Sequence, residues 1–321
     1  MNAYTSLVRH LDVLPPNELT SRIGGAETDY AQIAASQAAW LVEMLPREWS
    51  WEGKRVLDFG CGTGRTMVRL HGEAETAELW GCDIDAPSIS WAESHLSPPL
   101  NFVVNDELPP VPLESGTFDL AYGFSVFTHL VSTWTDWLLE MHRLLRVGGL
   151  GVFSFLGPGM IRDVAGRDWD ERVGMIGLDV GKPWSVGGPN VLHSEWWLRE
   201  HWGRVFDVRA IRPATDVAKP QGHGFILLEK TSSDAPSRAE LSRIDYTDRR
   251  EIASLELAVE ILQERSAALW KAASGTIIVE TDDLRAEVEQ LRHQLAAIAG
   301  SSTWRLTRPL RDTVTKIRGS R

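Results

Sequence analysis

Three acidic residues stand where short apolar runs end, and three glycines follow the first of them. Asp58 lies inside the run Val56 to Phe59, and Gly60, Gly62 and Gly64 then alternate through a turn containing Cys61 and Thr63. A residue without Cβ adopts positive φ and lets a ligand approach the backbone. The helix expected from Arg65 to His71 would point its unpaired N–H groups at whatever lies over that turn. Asp83 closes a second run, Glu78 to Asp85, about 20 residues further on, the offset at which a carboxylate meets a ribose. Asn105 and Asp106 close a third run, and a fourth, Phe118 to Ser125, leads to His129. Alone, the glycine spacing fits a dinucleotide site, a mononucleotide site or a tight strand-to-helix turn. An acid inside a buried strand, where Val or Ile would pack better, argues for a ligand.

Three histidines are candidate general bases: His129 just beyond the fourth strand, His193 beside Glu195, and His223 between Gly222 and Gly224. Each has the competing reading of a packed or semi-buried histidine without a chemical role. No cluster has the spacing of a metal site, and Cys61 and Cys82 read as small buried residues.

The elements that must position these groups follow from periodicity. The four runs, with a fifth at Gly151 to Phe155, read as parallel strands, and two more, Val205 to Ile211 and Gly224 to Glu229, as an antiparallel end of the sheet. Helices are expected from about Thr28 to before Pro46, from Asp85, which could cap it, to Pro98, from Thr135 to Arg146, and from His193 to Trp202. Leu14 to Gly25 reads as a lid. The glycine-rich stretch from Leu156 to Leu192 has no regular period and reads as a substrate wall or lid. The expected fold is a Rossmann-like α/β domain over residues 1–230, its seven-stranded, mostly parallel sheet covered by helices on both faces.

In order and spacing over about 100 residues the chain resembles the class I S-adenosylmethionine-dependent methyltransferases. The likeness is carried by Val56 to Gly64, Gly81-Cys82-Asp83-Ile84-Asp85, Asn105-Asp106 with Pro109 and Pro110, and Phe118-Asp119-Leu120-Ala121 running to Phe127-Thr128-His129-Leu130. It implies S-adenosylmethionine as cofactor, with S-adenosylhomocysteine as product. It also implies backbone contacts from Gly60, Cys61 and Gly62 to the methionine part, Asp83 on the ribose, Asp106 near the adenine amino group and Asp58 near the ammonium. Gly64, Ile84, Asn105 and Ser125 complete the expected cofactor contacts.

The formal charge of −11 over 321 residues argues against general nucleic-acid binding. No signal peptide or membrane span is read, so a cytoplasmic protein is expected, or one peripheral at the inner face of the membrane. Fourteen tryptophans are read as core residues or as stacking surfaces for a flat substrate such as a sugar. A polar linker, 231–248, precedes a helical segment, 249–299. There Ile252, Leu255, Val259, Leu262 and Leu269 form a narrow stripe that fits a coiled coil or a hairpin packed on the domain. The tail, 300–321, carries six basic residues against one acid, interspersed with apolar ones, and suits an anionic membrane surface, an acidic partner or a disordered tail. Ser301 to Arg311 resembles a terminal motif of bacterial glycosyltransferases and glycan-modifying methyltransferases.

These features lead to the expectation of an O-methyltransferase acting on a sugar of a bacterial surface polysaccharide or its precursor, self-associating or joining a glycosyltransferase through its C-terminal helices. A small-molecule or amine methyltransferase, or a cofactor-binding scaffold of a glycan-assembly complex, are the alternatives.

Overall fold

The computed structural model describes residues 13–20, 27–72, 74–162, 166–184, 187–213, 223–272, 286, 288–294 and 296. In chain order the strands are β1 (Arg55–Phe59), β2 (Glu78–Asp83), β3 (Asn101–Val104), β4 (Phe118–Gly123), β5 (Leu145–Leu156), β6 (Met175–Leu178), β7 (Asn190–His193), β8 (Asp207–Arg212) and β9 (His223–Glu229). The longer helices are α1 (Glu27–Met44), α2 (Arg65–Leu70), α3 (Ala86–Leu96), α4 (Trp134–Leu144), α5 (Glu195–Trp202) and α6 (Arg249–Ala272).

Strands β3, β2, β1, β4 and β5 lie side by side and parallel, and β9 and β8 continue the sheet antiparallel. This is the expected Rossmann-like frame. Side chains alternate between its faces. Leu57, Phe59, Phe118 and Phe153 join α4 and α5 in one core, while Val56, Leu79, Leu120 and Val152 join α1, α2 and α3 in the other.

Two strands were not expected. Strand β5 outruns β4, whose last partner pair is Gly123 with Phe153, and at Leu156 it pairs β9 through His223 and β7 through Leu192. Strand β7 thus takes up the side that β4 has left, and β6 pairs antiparallel to it. The supposed loop from Leu156 to Leu192 therefore carries a hairpin that stands above the end of β4, and the sheet has nine strands rather than seven.

The described residues on both sides of position 231 pack on the sheet domain. Lys230 donates from Nζ to the carbonyls of His142 and Leu145, each at 2.7 Å, and so closes the end of α4. Leu241 is fully buried, and its carbonyl accepts from Arg204 at 2.9 Å. Helix α6 then docks on the hairpin: Leu257 and Ile261 share a core with Leu156, Ile176, Leu178 and Leu192. Leu262, on another face, packs with Val288 and Leu291. The first part of the C-terminal segment is thus a helix packed on the domain. Residues 21–26, within the lid, and the tail from 297 onward lie outside the described residues. Among the described residues no helix is long and apolar enough to cross a membrane.

Candidate functional site

The turn after β1 forms as its glycines require. Gly60, Gly62 and Gly64 have φ of 78°, 53° and 77°. A Cβ at Gly60 would lie 2.3 Å from Val126 Cγ2, so the turn and the end of β4 touch, and Ser125 and His129 flank that contact. The turn is laced to β2. Gly60 and Cys61 donate their N–H groups to the Cys82 carbonyl at 2.8 and 3.1 Å, Gly62 donates to Asp83 Oδ2 at 2.7 Å, and Gly64 to the Cys61 carbonyl at 2.9 Å. These N–H groups are therefore spent internally. What the turn offers a ligand is carbonyl lone pairs, which suit an ammonium better than a phosphate.

The acids beneath and beside the turn are buried. Asp58 accepts from the Tyr122 hydroxyl at 3.0 Å, and burial, with the nearby Asp83 charge, pushes its carboxyl up to about 8 against the pull of Tyr122 and Arg65. Asp83 is also raised by burial, while accepting from the N–H groups of Gly62 and Asp85, the latter at 2.8 Å, pulls it down. Asp85 accepts from the Ser88 hydroxyl rather than capping α3 through a backbone N–H. Ile84, half-buried, links Asp83 to Asp85. Asn105 donates its N–H to the Asp83 carbonyl at 3.1 Å and its amide to the Asp106 carbonyl at 2.8 Å, whereas Asp106 itself is exposed.

The Oδ1 of Asn105 is buried and accepts no hydrogen bond among the described residues. A buried acceptor without a donor and a buried acid kept neutral call for a ligand rich in donors and positive charge. An adenosyl group with a sulfonium and an ammonium fits that need: Asp58 would face the ammonium and Asp83 the ribose hydroxyls.

On the far side of Val126, Ser125 holds φ at 60°, an uncommon conformation for a non-glycine residue. Its N–H donates to Ser154 Oγ at 2.7 Å, and its hydroxyl lies 3.2 Å from Thr128 Oγ1 and 3.5 Å from His129 Nε2. His129 Nδ1 donates to the Pro189 carbonyl at 2.6 Å, which places the ring proton on Nδ1 and leaves the Nε2 lone pair toward Ser125. Burial and the Lys182 charge lower the His129 pKa, against the Pro189 carbonyl, so the ring is neutral at pH 7. His223, on β9, is pushed down to about 4 by burial and by the neighbouring His129.

His193 is placed elsewhere. It ends β7 instead of starting a helix, is fully buried against the rings of Trp197 and Trp202, and is pushed down to about 3 by burial. Two of the three candidate bases thus share one rim and the third sits in the core. Sequence reasoning missed Pro189 and Lys182, whose only signal was the glycine-rich stretch around them. No group of three or more metal-ligating side chains occurs among the described residues.

Parts of the chain are similar to known proteins. Residues 56–149 match a family model described as a methyltransferase domain. Among curated proteins, the chain is 32% identical over 120 residues to a malonyl-[acyl-carrier protein] O-methyltransferase of Laribacter hongkongensis, covering 34% of this chain and 40% of that protein. It is 30% identical over 154 residues to the protein of the same name from Herminiimonas arsenicoxydans, covering 46% and 55%. The chain thus spans about half the length of these curated relatives. Among solved structures, an S-adenosylmethionine-dependent methyltransferase from Mesorhizobium loti superposes with a TM-score of 0.45 at 19% identity, covering 62% of this chain and 100% of that one. The turn, the two acids and the donor-seeking Asn105 all lie within residues 56–149, the part of the chain that matches the methyltransferase-domain model.

Proposed function

We propose that the chain methylates a hydroxyl oxygen with His129 as general base, and that the acceptor is a sugar of a bacterial surface polysaccharide or its precursor. Bound S-adenosylmethionine supplies an electrophilic methyl group for in-line displacement at carbon. The chain's own part is to align the acceptor and to remove its proton. A hydroxyl is a poor nucleophile until its proton leaves, and the oriented neutral imidazole, with Nε2 free of the proton, is the group that can take it. The fixed tautomer of His129 carries the proposal.

A second reading, methylation of a carboxylate, is favoured by the name of the curated relatives. A carboxylate is already ionised near pH 7 and needs no base. His129→Gln therefore separates the two, with labelled donor and two acceptors, envelope glycan extracts and malonyl-acyl carrier protein. The hydroxyl reading expects label in the glycan, falling in the variant by about 10²–10⁴-fold. Label confined to the malonyl carrier, and unaffected by the variant, would reject it.

The sugar assignment draws on the likeness of Ser301 to Arg311 to the tails of glycan-modifying enzymes. Self-association or binding of a glycosyltransferase through the C-terminal helices, and contact of the basic tail with an anionic membrane, belong to the same proposal. Sedimentation with anionic vesicles, with and without residues 300–321, tests the last.

A further inference from the structure

The described residues between β6 and β7 are 179–184 and 187–189, and proton transfer at His129 uses them only through the Pro189 carbonyl. The described backbone of this turn is tied down. Lys182 donates its N–H to the Asp179 carbonyl, Gly187 to that of Trp184 and Gly188 to that of Pro183, each at 3.0 Å. Asp179, Gly181, Gly187 and Gly188 take φ of 55°, 87°, 102° and 63°. At its base the Asp179 carboxylate pairs with Arg265 of α6.

Two large side chains stand exposed on this turn, Lys182 and Trp184. Most tryptophans with described side chains are buried or half-buried in the cores, but Trp184 is 42% exposed. The lysine folds back over the turn: a Cβ on Gly187 would lie 3.4 Å from its Nζ, and one on Gly188 would lie 3.3 Å from His129 Nδ1. The ammonium thus lies near Gly187, next in the chain to the glycine that approaches the base. Among the described residues no carboxylate pairs with it, in a chain whose net charge is −11. Asp179, the nearest acid along the chain, is taken by Arg265.

An exposed ammonium with no carboxylate partner among the described residues, and an exposed indole two residues away on the same turn, suit an acceptor that joins an anionic group to a flat apolar face. Resting on the reading of hydroxyl transfer at His129, we infer that Lys182 and Trp184 form an acceptor subsite for a sugar carrying a phosphate or pyrophosphate ester close to the methylated hydroxyl. Nucleotide-linked and lipid-linked sugars share that chemistry and differ beyond the phosphate. The groups that face His129 are the Ser125 hydroxyl, the Pro189 carbonyl, His223 and Lys182. A phosphoryl group on Lys182 offsets the one fixed positive charge among them, so the base strengthens as the acceptor arrives.

The test uses the full chain with S-adenosylhomocysteine and titrates inorganic pyrophosphate by calorimetry, with malonate as the carboxylate comparison. Saturable pyrophosphate binding is expected, tighter than that of malonate, about tenfold weaker in Lys182→Gln and within about threefold of wild type in Lys182→Arg. Absence of saturable binding, equal affinity in Lys182→Gln, or preference for malonate overturns the subsite. A second arm compares methyl transfer to UDP-hexoses, polyprenyl-phosphate hexoses and neutral methyl hexosides. The wild-type preference for the phosphorylated acceptors should fall about tenfold in Lys182→Gln, and the phosphorylated class that is used names the source. An unchanged preference overturns the subsite while leaving hydroxyl transfer intact. Pyrophosphate binding as expected, with no sugar methylated, rejects hydroxyl transfer and the sugar acceptor with it, and leaves only an anion site at Lys182.

Discussion

Asp58 keeps its proton at neutral pH because water cannot reach it and one phenol is its hydrogen-bond partner. The folded protein holds this proton up to about pH 8, whereas an unfolded aspartic acid releases it near pH 3.9. Between those values the native state binds more protons than the unfolded one, so stability falls as pH rises. The contribution is complete below about pH 4 and gone above about pH 8. Its slope is at most about 1.4 kcal/mol per pH unit. Asp58→Asn keeps the acceptor for Tyr122 and removes the titration. Its urea midpoint should therefore gain on wild type from about pH 5 to about pH 8, and parallel profiles would contradict the assignment. The same proton reports the donor. An ammonium placed at Asp58 favours the carboxylate, so S-adenosylmethionine binding at pH 7 should release about one proton, seen by calorimetry in buffers of different ionisation enthalpy and absent in Asp58→Asn. Asp83 acts differently, since its carboxylate fixes the turn and, in the proposed role, would also bind the ribose. In Asp83→Ala the donor dissociation constant should rise at least about tenfold, because charge-assisted hydrogen bonds contribute about 1.5–3 kcal/mol each. The positions of both acids were legible in the sequence, because an acid in or ending an apolar run is rare without a partner. The Tyr122 contact was not, since it joins residues on neighbouring strands.

The same contrast holds for whole elements. Strands β1 to β5 could be read because each is an apolar run closed by glycine or an acid. Strands β6 and β7 could not, being four residues each in a glycine-rich stretch. What buries them is α6, whose residues lie some way downstream in the sequence. That helix was itself misread in one respect. Its expected stripe ran through Ile252, Leu255, Val259 and Leu262, yet the face on the domain includes Glu251, Ser254, Leu257 and Ile261. Two of these are polar and hide the period. Glu251 Oε1 lies 2.7 Å from His201 Nε2, and Ser254 Oγ accepts from the Gly174 N–H at 2.9 Å, so both are satisfied only by the tertiary contact. Leu257 is the apolar centre of that face and is fully buried. Leu257→Ala should cost about 2–5 kcal/mol in urea unfolding. Because the cavity opens under the hairpin and not under the glycine turn, donor affinity measured by calorimetry should stay within about twofold of wild type. A comparable loss of donor binding would mean that the two sides of the sheet are not independent.

At the scale of the molecule, the matched segment, residues 56–149, carries the glycine turn and its acids, and the described residues of 150–272 build the hairpin, β9 and α6 on the continuation of β5. Strand β9, the β6–β7 hairpin and α6 are consecutive supports for the turn that meets His129 through Pro189. The position of α6 ties the first part of the C-terminal segment to that turn. It holds the hairpin from below through Leu257 and Ile261, and it holds the base of the 179–189 turn through Arg265 on Asp179. A chain ended after Asp248 keeps β1 to β9, Lys230 on the end of α4, and Leu241 in its core. It loses every contact from α6. Its thermal midpoint should fall, since the apolar face under the hairpin is then exposed to water, at about 25 cal/mol per Å² of surface uncovered. Donor binding should remain within about threefold of wild type, while turnover on the true acceptor drops at least about tenfold, because Pro189 no longer fixes the His129 tautomer in a rigid frame. Turnover equal to that of the full chain, with the same lowered midpoint, would show that α6 stabilises the fold without positioning the acceptor.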